Sequence, residues 1–161
     1  MTLTSLLSHL PGFTLHEVMT GTHEFLPGRG PEGSHPFEFR VRWGTADPAR
    51  FLDPRGGAFL VNDLEGTVTA GGLCTDAACR GTLELRYLRD RTIRYGFTFH
   101  AGGSTFRYRG EKVNILPWNL PFSHTTCFGT LTDGDGRLVS RSVTFFRLRT
   151  VPAFLASLRA A

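Results

Sequence analysis

The chain has 161 residues, 40% of them hydrophobic and 20% charged, the proportions of a single globular domain over residues 1–161 with a sizeable core. Its net charge of +4 raises the question of nucleic acid, but only one of its 18 basic residues is a lysine, Lys112. The arginines stand singly among apolar residues, with no basic run and no nucleic-acid motif, so the composition speaks against such a partner. No stretch approaches the ~20 apolar residues of a spanning helix, and residues 1–10 lack the features of a secretory leader, which makes the cytoplasm the expected location. The 14 Phe and 19 Gly are the unusual counts, and together they suit a turn-rich β protein with an aromatic interior.

In chain order, residues 4–10 suggest a short amphipathic helix stopped by Pro11-Gly12. From Phe13 to Phe25 the pattern is that of a long, bulged strand. Residues 26–36, with three Pro and three Gly, read as a surface loop. Phe37, Phe39, Val41 and Trp43 alternate with Glu38, Arg40 and Arg42, a half-buried strand. A loop through Asp47-Pro48 and Asp53-Pro54 follows. Residues 58–71 are strand-like, with a break or bend near Glu65-Gly66, and residues 73–80 are expected to be a loop.

Parity then sets register. Leu83, Leu85 and Tyr87 share one face of a strand, and Ile93, Tyr95, Phe97 and Phe99 share one face of the next. Opposed residues of an antiparallel pair point the same way, so Leu85 is placed opposite Tyr95 across a turn at Arg89-Asp90-Arg91. Phe99 pairs with Phe106 and Phe97 with Tyr108, leaving Gly102-Gly103 as a two-residue turn. Residues 110–123 contain Pro117 and Pro121 and are read as a crossing loop or an edge. Residues 124–133 and 137–149 form a last hairpin turning at Gly134-Asp135-Gly136. Pro152 introduces a short helix over residues 153–159. The expected fold is all-β: an antiparallel up-and-down barrel of about eight strands, calycin- or lipocalin-like, with short terminal helices. A β-sandwich is the alternative.

The chemistry offers few strong patterns. Cys74 and Cys79 stand at Cys-x4-Cys with Cys127 far away, which favours a loop disulfide or free thiols over zinc. There is no Gly-x-Ser-x-Gly elbow and no Gly-rich loop opening a helix, so the residues imply no cofactor. Glu17 shares a strand face with Phe13, Leu15, Met19 and His23; such a residue more often lies past a bulge and faces water. Residues 110–127 mix Lys112, Asn114, Trp118, Asn119 and His124 with large apolar groups, as ligand sites do. The competing reading is a packed corner in which Asn and His satisfy buried backbone groups. His124 and Thr126 share parity with Phe128, Val143 and Phe145, while Cys127, Gly129, Leu131 and Phe146 occupy the opposite face. If the first set points inward, His124 sits at the barrel mouth. The candidate ligand-binding residues are His23, Tyr95, Lys112, Asn114, Trp118, Asn119, His124 and Thr126, with no catalytic or metal-binding residue assigned.

Met19-Thr20-Gly21-Thr22-His23-Glu24-Phe25, residues 110–131, and Ser140-Arg141-Ser142-Val143-Thr144-Phe145-Phe146-Arg147 resemble a domain of cholesterol-oxidase-like flavoprotein oxidoreductases of the glucose-methanol-choline superfamily. There the domain lies outside the flavin-binding part. The resemblance covers most of the chain and implies an environment of sterol- or lipid-like molecules. It does not imply oxidase activity, because this chain has no Gly-x-Gly-x-x-Gly fingerprint and no room for a flavin-binding domain. Three functions are therefore carried forward. The first is a binding module for a small apolar molecule in the barrel. The second is an isomerase- or hydratase-type enzyme using His124, His23 or Glu17. The third is an interaction module, either a homodimer or a partner of an oxidoreductase.

Overall fold

The computed structural model describes residues 11–86, 88–113 and 126–146, and the backbone of 159–160. The elements are β1 (Phe13–Phe25), β2 (Ser34–Thr45), α1 (Pro48–Phe51), β3 (Val61–Ala70), β4 (Cys74–Arg86), β5 (Thr92–Ala101), β6 (Ser104–Lys112), β7 (Thr126–Asp133), β8 (Leu138–Phe146) and β9 (Arg159–Ala160). Every pairing is antiparallel, and β1 bonds both β2 and β8, so β1 to β8 close into an up-and-down barrel. Closure leaves no free edge in that ring and decides against the sandwich. The expected helix over residues 4–10 lies outside the described residues, as does most of the expected helix over 153–159. The last residue of the latter, Arg159, is instead in β9, paired with Thr14.

The interior follows from alternation. Met19, Phe37, Phe39, Leu64, Val68, Leu83, Tyr95, Phe97, Phe99 and Tyr108 are all buried. Phe39 is fully enclosed, with its ring centroid 5.4 Å from Tyr95 and 5.5 Å from both Phe97 and Tyr108. Phe97 and Tyr108 stack at 4.7 Å. The middle of the barrel is thus filled by rings in tilted, stacked and edge contacts, the arrangements that aromatic quadrupoles favour.

Several local expectations are corrected. Ser34–Pro36, read as loop, begin β2. Pro36 tolerates this position because it precedes Phe37, where the β3 pairing starts. A short helix, α1, forms after Asp47, whose carboxylate accepts from the Arg50 amide at 3.0 Å. There is no break at Glu65-Gly66. Both residues pair on each side, and Gly66 is there because a Cβ would collide with the Arg40 carbonyl oxygen of the adjoining strand. The irregularity falls later, between Val68 and Ala70, where β4 carries an extra residue and Asp76 adopts φ 49°. Residues 74–80, expected as loop, therefore belong to β4.

The β4–β5 register is shifted by two: Leu85 opposes Ile93, and Leu83 opposes Tyr95. The faces survive this shift, since two residues preserve parity. The connection is longer than three residues because the Arg86 carbonyl accepts from the amides of Arg89, Asp90 and Arg91, while its guanidinium holds Asp90 at 2.7 Å. Tyr87 lies outside the described residues. The Gly102-Gly103 turn forms as expected, with φ 55° and 78°. Gly110, Glu111 and Lys112 are strand residues of β6 and no part of a loop. On β7 the inward face is Cys127, Gly129 and Leu131. Phe128 and Phe145 point outward, 54% and 49% exposed, which settles the parity left open above.

Candidate functional site

The strand ends place a polar cluster at one end of the barrel, where β1, β3, β5 and β7 begin and β2, β4, β6 and β8 finish. Glu17 is the hub. It faces inward because β1 runs without a bulge in this stretch, each residue from Phe13 to Glu24 finding one partner on β2. The Lys112 ammonium donates to Glu17 Oε1 at 2.6 Å. The Tyr95 hydroxyl lies 3.0 and 2.9 Å from Oε1 and Oε2, and the Trp43 indole N–H donates to Oε2 at 3.1 Å. Glu17 is 5% exposed and Lys112 3%. Three donors thus surround one buried carboxylate, with the Lys112 amine closest to it. The ammonium also lies over the rings of Tyr95, 5.2 Å from the centroid, and Phe146, 5.7 Å away.

A second polar group lies beside it. Gly110 and Gly129 face each other across β6 and β7. A Cβ at Gly110 would lie 2.6 Å from the Tyr108 hydroxyl and 2.7 Å from Cys127 Sγ. Glycine there makes room for the phenol, which lies 3.7 Å from Cys127 Sγ and accepts from Ser142 at 3.5 Å. Burial raises the Tyr95 and Tyr108 hydroxyls well above the ordinary tyrosine range, and the Glu17 charge adds to the effect at Tyr95. Both remain neutral. At the same end, Asn62 is fully buried; its amide N–H2 donates to the Leu83 carbonyl at 3.3 Å, and among the described residues its Oδ1 has no partner.

Of the residues expected to bind a ligand, the structure brings Tyr95 and Lys112 together on Glu17. Thr126, carried as a ligand contact, shares the outward face of Phe128 and opposes exposed Phe145, because parity on β7 is fixed by inward Cys127. Asn114, Trp118, Asn119 and His124 lie outside the described residues. His23 is at the opposite end of the barrel. Its ring nitrogens contact the Gly71 carbonyl at 2.9 Å and Ser140 Oγ at 3.0 Å, which assigns Nε2–H as donor and Nδ1 as acceptor. It is a satisfied core histidine.

Burial lowers the His23 pKa from 6.5, the Gly71 contact opposes this in part, and nearby His35 lowers it further. The unfolded chain then takes up a proton near pH 6.5 that the folded chain resists, so stability is full above that value and falls as the pH drops below it. Urea midpoints should decline between pH 7.5 and pH 5, and the decline should be shallower in His23→Gln. Equal slopes would show that His23 does not contribute.

All three cysteines are free thiols, so the loop-disulfide alternative does not apply. Burial pushes Cys79 up to about 12 and Cys127 up to about 11, and it raises Cys74 as well. At pH 8, iodoacetamide should modify half-buried Cys74 first and reach Cys79 and Cys127 only in denaturant. Rapid native labelling of Cys127, read by peptide mass, would contradict its enclosure. Among the described residues no group of three or more His, Cys, Asp or Glu is placed to hold a metal ion, and no helix is long and apolar enough to cross a membrane.

Two concavities lie among outward-facing side chains of the described residues. One of about 720 Å³ is lined by His16, Arg40, Arg42, Glu65, Arg80 and His100. Another of about 620 Å³ lies by Val113, Phe128, Arg141 and Val143. Fold and cluster together define the class: an up-and-down β-barrel with an aromatic middle and an ion pair buried at one end. No protein-family model, curated protein or solved structure matches the chain.

Proposed function

We propose that this chain is a binding module for a small, largely apolar molecule bearing one polar group, held at the Glu17–Lys112 end of the barrel. The observation that carries this reading is the convergence of Lys112, Tyr95 and Trp43 on one buried carboxylate inside an aromatic wall. Ligand sites combine apolar walls with a few fixed polar groups in this way. The ring-filled middle argues that the molecule sits at this end and not along the barrel axis. Asn62 Oδ1 at the same end, without a partner among the described residues, is an acceptor that a ligand hydroxyl or amide would satisfy. A lipid- or sterol-like ligand and a cytoplasmic setting are part of the proposal. Lipocalin-like carriage is its nearest functional analogy.

Native mass spectrometry of the protein from its own host, followed by solvent extraction, tests it. A stoichiometric apolar ligand that is lost in Glu17→Gln supports the reading. A ligand-free mass, with no binding across a sterol and fatty-acid panel, overturns it.

A second reading is favoured by exposed Phe128 and Phe145, which with Val113 and Val143 set apolar side chains among the charged ones on the outside of β6 to β8. It makes the chain an interaction module, as a homodimer or as the partner of an oxidoreductase. A concentration-dependent mass in light scattering that disappears in Phe128→Ser would favour it.

A further inference from the structure

We propose that Lys112 captures the carbonyl group of an apolar aldehyde or ketone as a protonated imine, with Glu17 as proton relay and counter-ion. The proposal rests on the ligand-binding reading above and specifies its ligand class. Two observations carry it together. Lys112 is the one lysine of a chain whose 17 other basic residues, 18 less this one, are arginines. It is also, among the described residues, the basic side chain enclosed in the barrel, 3% exposed and 2.6 Å from a carboxylate that is itself 5% exposed. A buried ion pair is better served by arginine, whose planar fork binds a carboxylate through two bonds and is more weakly hydrated. What lysine offers in its place is a primary amine, the nucleophile that carbonyl chemistry requires.

The surroundings suit that step. Glu17 Oε1 is within proton-transfer distance of the amine, and the Tyr95 hydroxyl on both carboxylate oxygens fixes its orientation. The faces of Tyr95 and Phe146 beside the ammonium give an apolar substituent its wall. Phe146 beside the amine and Trp43 bonded to the carboxylate are both half-buried.

The step balances without a further reactant. Lys112 passes one ammonium proton to Glu17, and its lone pair forms a C–N bond to the carbonyl carbon. The carbonyl oxygen takes up protons and leaves as water, the last of them supplied by Glu17. The product is a C=N–H cation beside the restored Glu17 carboxylate. Lys112–NH3+ and an aldehyde have become a protonated imine and water, with charge unchanged.

The test uses the intact protein, decanal and sodium cyanoborohydride at neutral pH, with decan-1-ol as the non-covalent comparator. One decyl group on Lys112, located by peptide mass and absent from Lys112→Arg, is the expected result. The N-terminal amine, present in both proteins, serves as the internal reference. Glu17→Gln should slow the Lys112 adduct by about 100-fold while leaving the N-terminal one unchanged. Prior unfolding of the wild type should abolish the preference for Lys112, a readout independent of whether the variants fold. Modification of the N-terminus alone, together with a one-to-one decan-1-ol complex, would overturn the imine and leave the binding reading standing. Neither adduct nor decan-1-ol complex would overturn both.

Discussion

Glu17→Ala is expected to lower the unfolding free energy by about 3–5 kcal/mol, because it leaves the Lys112 ammonium buried without its counter-ion. The cost lies in the stranded charge more than in the lost contact. A Glu17→Leu/Lys112→Met double variant should therefore recover most of the loss, and a residual cost of about 1–3 kcal/mol should remain because the Tyr95 hydroxyl loses its acceptor. Half-buried Trp43 can turn its indole N–H to water and adds little. Urea unfolding with an unchanged slope measures each value, and Glu17→Leu, Lys112→Met and their combination form a double-mutant cycle. Additive losses would show that the two groups do not depend on one another, which is incompatible with a buried 2.6 Å pair.

Phe39→Ala should cost about 3–5 kcal/mol and Phe39→Leu roughly 1–2 kcal/mol, through lost transfer energy and the cavity left behind. Phe39 is the residue on which Tyr95, Phe97 and Tyr108 converge, and Phe37 lies 6.3 Å away, so the space it vacates is bounded by rings on rigid strands. Such walls collapse poorly. Phe128→Ala, on the same kind of side chain at 54% exposure, should shift stability by less than about 0.5 kcal/mol. Thermal unfolding of the two alanine variants side by side checks the assignment of faces on two different strands. A larger loss at Phe128 than at Phe39 would reverse it.

The cluster at Glu17 was half legible in the sequence. Lys112 and Tyr95 stood out, the first as the lone lysine and the second by its place on an aromatic strand face. Glu17 shares the parity of its apolar neighbours, yet a single acid among them reads as lying past a bulge and facing water unless its partners are known, and the structure overturns that reading. Those partners lie 26, 78 and 95 residues away along the chain. Trp43 offered one signal of its own, since an inward indole needs an acceptor for its N–H. Asn62 and Cys127 gave none.

The alternation of Phe37, Phe39, Val41 and Trp43, the Gly102-Gly103 turn and the succession of short connections determined by themselves that this chain is an antiparallel meander, because these are local properties of side-chain period and backbone freedom. Tertiary structure decided what depends on which strand lies beside which. It closed the ring through β1 and moved the β4–β5 register by two residues through the Arg86 carbonyl. It also turned the bulky Phe128 and Phe145 outward while small Gly129 faces in. Volume explains this last choice: the Tyr108 phenol, sent across from β6, already occupies the space that a side chain at Gly129 would need, and no pattern within β7 records it.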